Sequence, residues 1–525
     1  MDTLTYQAFL FNSMNKFDYQ PALTCVDTNE TITYRELLDK VETAANQLIR
    51  YGVQIGTHVA ILIPNSIENV VYNLAVSRCG ATVIPLNDKL GVREIEFILR
   101  DAEPQMVIMA TQKHVESVLD YQKEADKNSV TVIGLTGFGV EYPEEFYSVD
   151  LDDKKGRLTF PVASLEDLAT ISYTGGTTGT PKGVMHSQQG FGASLKASCM
   201  EYPYDDQDKV LLCTPLIHAA GVLLQRSLVS GSHVYIMKAF HPELFLQTVQ
   251  AARITSTFVV PTIIYRLIDE AKKKTYNVSS LRNMNYGSSP ISTERLKEAF
   301  TIFGPILRQQ YGMTECSILI ARLTKSDHLW AYENKPDVLK SCGKPCMQTQ
   351  IRLIDDNGYD VEPLHPGEIA VKTPSVSVGY YKRPDLTEAA YRDGWFYTGD
   401  IGKLDKHGFL HIIERKKDMI ISGGFNVYPA EVERLINQHP AVAMSACIGI
   451  PHNDWGEAVC IFAVLREGET CSKEELMKFC KERTSVYMLP KEIYFETSLP
   501  LTMVGKIDKK ELKKPFWEGT ERLVN

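Results

Sequence analysis

"HVAILIPNSIENVVYNLAVSRCGATVIPL", residues 58–86, decides the fold. An apolar run of strand length, "HVAILIP", is followed by the helix-like "IENVVYNLAVSRCG" and then by a second short apolar run, "ATVIPL". Two such runs can lie side by side in parallel only if the helix carries the chain back across the sheet, which makes a βαβ unit. The same alternation extends outward. "QMVIMA" (105–110) and "SVTVIGL" (129–135) read as further strands, and "YRELLDKVETAANQLIRYG" (34–52) reads as an amphipathic helix. Thr33 can cap that helix, Leu37, Leu38, Val41, Ala45 and Leu48 share one face, and Gly52 can end it. The expected class is α/β, with a large N-terminal domain of βαβ-type sheets.

Bulk properties narrow the function. Of 525 residues 44% are hydrophobic, and a single core stops growing at roughly 250–300 residues, so two or more domains are expected. Lys and Arg number 56 against 65 Asp and Glu, and the net charge of -9 disfavours nucleic acid and anionic membranes as partners. The start, "MDTLTYQAFLFNSMNKFDYQ", has no basic segment followed by a long apolar one, and no stretch is apolar for the span of a membrane helix. A cytoplasmic chain without integral membrane association is expected. The 11 cysteines are an odd number without paired spacing, which fits reduced thiols. Cys342 and Cys346 are the one close pair, and no second Cys or His pair lies near them at zinc-site spacing.

No internal repeat is visible. A stretch rich in Asp, Glu, Tyr and Gly, residues 137–157, reads as a surface connection. A change of texture follows "WFYTGDIGKLDKHGFLHIIERKKDMIISGG" (395–424), where a charged cluster, Glu414 to Asp418, precedes "PAEVERLINQH", "AVCIFAVL" and "KEELMKFCKER". These helix and strand patterns suit a small, mobile α+β domain. The expected division is 1–416 and 417–525, with a hinge near Lys417.

The connection at 137–157 leads to "ISYTGGTTGTPKGVMHS" (171–187). Gly175, Gly176 and Gly179 permit positive φ and expose backbone N–H groups. Thr174, Thr177, Thr178 and Thr180 add hydroxyls, and Lys182 adds a cation. Together they can wrap a polyphosphate. A P-loop NTPase needs Gly before the Lys and Ser or Thr after it, whereas Pro181 and Gly183 flank Lys182 here. Taken alone, such a run also suits an ordinary surface turn.

Its companions identify it. The run resembles the phosphate-loop signature of the adenylate-forming superfamily, which holds acyl- and aryl-CoA ligases, adenylation domains of peptide synthetases and firefly-type luciferases. Further motifs follow in that family's order: "PLIHAAG" (215–221), "VPT" (260–262), "NYGSSPIS" (285–292), "QQYGMTE" (309–315), "GWFYTGDIG" (394–402), "ERKKDMIISGGFNVYPAEVE" (414–433) and "LTMVGKIDKK" (501–510). The resemblance spans nearly the whole chain and implies ATP, Mg²⁺ and coenzyme A.

Roles carried over by the resemblance are as follows. Tyr311 packs on adenine, Thr314 touches the α-phosphate and Glu315 holds Mg²⁺, as a hard cation prefers carboxylate oxygen. Ser288, Gln310 and Gly312 join the nucleotide set. Asp400 accepts the ribose hydroxyls, with Arg415 against the same sugar. Lys506 bridges the substrate carboxylate and α-phosphate as charge develops; the bland alternative is one more lysine of a basic tail with Lys509, Lys510, Lys513 and Lys514. Lys417 is the hinge counterpart, and Gly423 and Gly424 let a pantetheine arm pass. His218 is either a group between acyl pocket and thiol tunnel or a half-buried histidine ending a strand. Three positions depart from the pattern: Gly175 stands for Ser, Val504 for Thr, and Ile217 for an aromatic residue.

The resemblance thus implies an AMP-forming acid–thiol ligase acting on a small-molecule carboxylic acid and CoA. A stand-alone adenylation enzyme loading a carrier protein is the alternative. Medium-chain, carnitine-type and aryl acids all remain open, and a homodimer is the default. The acyl pocket is expected around residues 218–225 and 285–289 with Met313, Cys316 and Ser317. Ala219 and Gly221 would leave room for the acid. Arg226 either meets a second polar group on it or faces solvent.

Overall fold

The computed structural model of the protein describes residues 5–125, 129–149, 159–174, 181–317, 319–416, 418–422, 425–452, 455–501 and 507–518. The expected βαβ unit is present: strand His58–Leu62, helix Ile67–Arg78 and strand Thr82–Pro85, with Val59 opposite Val83 in parallel register. Ser66 caps the helix, its Oγ accepting from Asn69 N at 3.1 Å. The strand is near-continuously apolar because both faces of a parallel sheet are covered.

The chain divides into two compact units, Met1–Gln350 with Lys372–Phe396, and Ile351–Val371 with Tyr397–Asn525. Position 417 falls inside the second unit, and Lys417 itself lies outside the described residues.

The first unit carries two large sheets. One has the strand order Gly379–Tyr380, Lys182–Ser187, Leu168–Thr174, Thr82–Pro85, His58–Leu62, Met106–Met109, Thr131–Leu135, Tyr147–Val149. In the other, Leu307–Tyr311, Asn283–Gly287, Ser256–Val259, Lys209–Leu212, His233–Ile236 and Pro21–Cys25 are neighbours in that order, all parallel. A shared core joins side chains of both sheets, such as Val59, Ile61, Val210 and Leu212, with those of helices Tyr6–Met14, Tyr34–Arg50 and Ala219–Val229. Helices Val92–Ala102 and Val115–Glu124 pack on the opposite face of the first sheet, against Leu62, Ile84 and Met109.

Helix Tyr34–Arg50 begins as its sequence predicts. Thr33 Oγ1 accepts from Glu36 N at 3.2 Å, and Glu36 returns a carboxylate to Thr33 N at 2.7 Å, a reciprocal capping box. The stretch 137–149 is more than a surface connection. Tyr147–Val149 adds an edge strand, Phe146 is buried, and the Tyr142 hydroxyl stands 3.1 Å from the carbonyl oxygens of both Met109 and Leu135. Aromatic anchors hidden among acidic residues tie this stretch down.

In the second unit, strands Gly367–Lys372, Trp395–Leu404 and Leu410–Arg415 share one sheet. Another holds Phe425–Val427, Ile420–Ser422, Gly456–Leu465 and Val442–His452, with Glu492–Phe495 parallel to Gly456–Leu465. Helices Pro429–Ile436 and Lys473–Lys481 pack Val432, Ile436 and Leu476 against Ile420 and Ile461 on one face of that sheet. Helix Lys509–Trp517 packs Leu512 against Ile448 and Phe462 on the other. Lys509 is no free tail cation, because its Nζ pairs with Glu433 at 2.8 Å. No helix among the described residues is long and apolar enough to cross a membrane.

Two fully buried histidines of the first unit, His186 and His328, are pushed down to about 4 by burial. Above an unfolded value of 6.5 the ring is neutral in both states and burial carries no penalty. As pH falls below 6.5 the unfolded chain takes up protons that the folded chain refuses until about 4, so stability drops across that window. Each ring should cost about 2 kcal/mol by pH 5. The thermal midpoint is therefore expected to fall between pH 7 and 5, with a smaller fall in His328→Asn, and identical slopes in the two proteins would contradict the assignment.

Candidate active site

Four of the sequence motifs end at one edge of the parallel sheet. "PLIHAAG" follows strand Lys209–Leu212, "VPT" follows Ser256–Val259, "NYGSS" closes Asn283–Gly287, and "QQYGMTE" closes Leu307–Tyr311. All of these loops leave the carboxyl ends of parallel strands, the side of an open α/β sheet where ligands bind. Ser288 and Ser317 lie in this row with φ of 72° and 46°. Left-handed backbone at non-glycine residues is costly and clusters at functional sites. Ser288 is exposed and Tyr311 is buried.

Residues 314–316 form a short 3-10 turn that puts Glu315 beneath the surface, 8% exposed. Strands of the other sheet hold it there. The Tyr380 hydroxyl donates to Glu315 Oε1 at 2.9 Å, and Ser377 N donates to the Glu315 carbonyl at 2.7 Å. Tyr380 pairs with Val184 on the strand that begins at Lys182, and the Lys182 ammonium sits 5.6 Å from the Tyr380 ring centroid. Burial and the neighbouring Glu315 carboxylate raise Tyr380 well above the usual phenol value, so its hydroxyl remains a donor. His186, on the same strand, is neutral and donates from Nε2 to the Thr314 carbonyl at 2.8 Å, which leaves Nδ1 to face the Ser317 hydroxyl at 3.1 Å. Tyr391 meets Ser377 from behind.

Glu315 takes part in no ion pair among the described residues, and its Oε2 has no hydrogen-bond partner there. No group of three or more His, Cys, Asp or Glu suited to a metal occurs among them either. A lone buried carboxylate with a free oxygen fits Mg²⁺, which binds through one or two carboxylates plus substrate phosphates and retains waters. Lys182 and Thr174 flank residues 175–180 at the strand ends.

His218 is the exposed N-cap residue of helix Ala219–Val229, so it neither ends a strand nor lies half-buried. Gly221 serves the turn, not the acid: a Cβ there would stand 2.1 Å from the Leu216 carbonyl oxygen. Beside the helix a small cavity is lined by Ser198, Tyr202, Val222, Leu223, Gln310, Ser317 and Leu319. Only part of the expected pocket lining is there, and Ser198 and Tyr202 from helix Gln188–Glu201 and its end were not anticipated. Arg226 is 1% exposed, which removes the solvent-facing reading.

In the second unit, Asp400 and Arg415 are direct cross-strand partners. Arg415 Nε meets Asp400 Oδ1 at 2.6 Å, with Asp400 buried and Arg415 half-exposed. The two residues expected on one sugar are thus already adjacent, and they face each other. Glu414 anchors the following segment by accepting from Arg415 N and from Ala430 N at 3.0 and 2.8 Å.

Gly175, Gly176, Thr177, Thr178, Gly179, Lys417, Gly423, Gly424 and Lys506 lie outside the described residues. Tyr380, His186, Ser377 and Tyr391 were missed by sequence reasoning. Only the closeness of His186 to Lys182 in the chain hinted at any of them.

Comparison with known proteins agrees with this geometry. Residues 10–381 match the AMP-binding enzyme family, and residues 431–506 match the AMP-binding enzyme C-terminal domain. The chain is 32% identical to the medium/long-chain-fatty-acid–CoA ligase FadD8 of Mycobacterium tuberculosis, over 98% of this chain and 90% of that protein. It is 34% identical to the 2-succinylbenzoate–CoA ligase of a Geobacillus species, over 92% of each. Among solved structures, o-succinylbenzoate CoA synthetase (MenE) from Bacillus subtilis, in complex with the acyl-adenylate intermediate OSB-AMP, superposes with a TM-score of 0.82. The identity is 29%, covering 96% of this chain and 97% of that one.

The close approach at Gly221 is directly testable. Gly221→Ala must part the turn from the helix and is expected to cost at least about 2 kcal/mol, measured as a lowered unfolding midpoint. An unchanged midpoint would show that the turn opens freely.

Proposed function

Because the chain belongs to the AMP-binding enzyme family, we propose that it is an ATP-dependent carboxylic acid:CoA ligase working through an acyl-adenylate. The observation that carries this reading is the convergence of four motifs on one sheet edge, with the buried Glu315 clamped to the strand of Lys182.

In the first half-reaction a carboxylate oxygen of the acid attacks the α-phosphorus of ATP, and the bond to pyrophosphate breaks. Two anions must approach, so the residues that matter most are those favouring the charge of the transition state. Lys182 and Lys506 supply fixed positive charge, and Thr314 offers its hydroxyl to the α-phosphate. Glu315 would hold Mg²⁺, which neutralises charge on the leaving pyrophosphate. Gly175 to Gly179 cradle the phosphates with backbone N–H groups, while Tyr311, Gln310, Gly312 and Ser288 bound the nucleotide. Asp400 takes the ribose hydroxyls and Arg415 swings to share the sugar.

In the second half-reaction the thiol of CoA attacks the acyl carbonyl, loses its proton, and AMP departs. Lys506 has no task in that step. Rotation of residues 417–525 about Lys417 would replace Lys506 with the face carrying Gly423 and Gly424, a closing motion of the kind that often limits turnover. In this reading His218 serves the thiol path, and its exposure at a helix N-terminus supports that role. Free CoA rather than a carrier protein is the acceptor, which the two ligase relatives support.

The nucleotide product decides the reaction. With ATP, Mg²⁺, CoA and a panel of acids, the expected products are AMP, pyrophosphate and one or more CoA thioesters. ADP would overturn the adenylate chemistry, and AMP without thioester would move the acceptor to a carrier. Lys506→Ala is expected to slow adenylate formation by about 10²–10³-fold while sparing thioester formation from supplied acyl-AMP. Equal loss of both steps would remove that division of labour.

A further inference from the structure

Arg226 is the largest fully buried side chain among the described residues, and it is poorly satisfied. Its Nε and Nη2 have no hydrogen-bond partner among the described residues, and Nη1 reaches only the Ser198 hydroxyl, at 3.4 Å. The guanidinium lies between aromatic rings, 4.1 Å from the Tyr204 centroid and 5.2 Å from that of Tyr202. Stacking compensates the faces of a guanidinium but not its in-plane N–H groups, which remain directed at whatever lies in their plane.

The surroundings repeat this imbalance. Arg308 and Arg322 also approach Tyr202, at 5.9 and 5.7 Å. Glu201 pairs with Arg322 and uses its other oxygen on Met347 N at 2.6 Å. Arg308 Nη1 is buried without a partner, and burial lowers its basicity, with Arg226 and Arg322 pushing the same way. Of the three guanidiniums, only that of Arg322 meets a carboxylate among the described residues. A desolvated cation with unmade hydrogen bonds is costly unless an anion completes it.

Ser198 and Tyr202, two of the contacts of Arg226, line the cavity beside helix Ala219–Val229, whereas Tyr204 does not. Val222, Leu223 and Leu319 give that wall its apolar part, and Gln310 and Ser317 complete it. Arg226 lies about 12 Å along the helix axis from His218 at the N-terminus. Arg226 reaches the wall of that cavity through Ser198 and Tyr202, and its two unpartnered N–H groups are the nearest cationic donors behind them.

We infer that Arg226 anchors a second anionic group on the acid. The substrate is then a dicarboxylic acid whose distal carboxylate, beyond an apolar aliphatic or aryl segment, pairs with the Arg226 fork. This rests on the ligase reading and sharpens it, since Arg226 selects the substrate without touching the reacting atoms.

The test compares matched mono- and dicarboxylic acids, aliphatic and aryl, in series of increasing length, by pyrophosphate release with CoA present. At the best length the diacid is expected to exceed its matched monoacid in kcat/KM by at least about tenfold. Arg226→Gln should collapse that ratio, chiefly through KM for the diacid, and Arg226→Lys should restore part of it. A monoacid preference in the wild-type enzyme would overturn the inference and leave the ligase reading intact. So would a ratio unchanged by Arg226→Gln, which would make the cation a packing element only. The wild-type panel decides even if the variants do not fold, and absence of pyrophosphate with every acid would overturn both readings.

Discussion

Glu315 is reached from two directions: its own strand ends at Tyr311, and the Tyr380 hydroxyl and Ser377 N–H come from the neighbouring sheet. The carboxylate is thereby desolvated on one side and left with an open oxygen on the other. A buried carboxylate without a counter-charge is unfavourable by itself, so the turn at 314–317 persists only because the surrounding contacts fix it. His186 and Ser317 supply that support through the Thr314 carbonyl and the left-handed turn. The same contacts tie Lys182 to the site, since its strand carries both His186 and the partner of Tyr380. The two sheets consequently hold a buried carboxylate with an open oxygen at Glu315 and a cation at Lys182 on strands that Tyr380 links.

The second unit uses a related device in closed form. Asp400 is 3% exposed and satisfied by Arg415, whose side chain is half open to solvent. A carboxylate has about four acceptor sites. Two hydroxyl donors can therefore join or displace the guanidinium without leaving Asp400 unpaired. The cross-strand register that makes them partners also keeps the two side chains adjacent.

Much of the fold was legible because its strands and helices carry strong local periodicity. The unit at 58–86 and the capped helix at 34–50 followed from apolar spacing and one threonine. The positions of the motifs at strand ends were legible for the same reason. What could not be read is nonlocal. Tyr380 lies 65 residues from Glu315, and His186 lies 128 from Thr314, and no period connects such pairs. Arg226 was ambiguous because helix Ala219–Val229 is buried nearly all round, so it lacks an amphipathic phase that would say which way the cation points. Gly221 misled in the opposite sense, since room beside a ligand and room beside a backbone carbonyl look alike in sequence.

The most direct measurement is the Mg²⁺ dependence of acid-dependent exchange of pyrophosphate into ATP, compared between the wild-type protein and Glu315→Gln. If Glu315 is the metal carboxylate of an adenylate-forming site, the substitution raises the Mg²⁺ midpoint by about tenfold or more, and excess Mg²⁺ recovers part of the exchange. The same midpoint in both proteins, or exchange that does not depend on the acid, would contradict it.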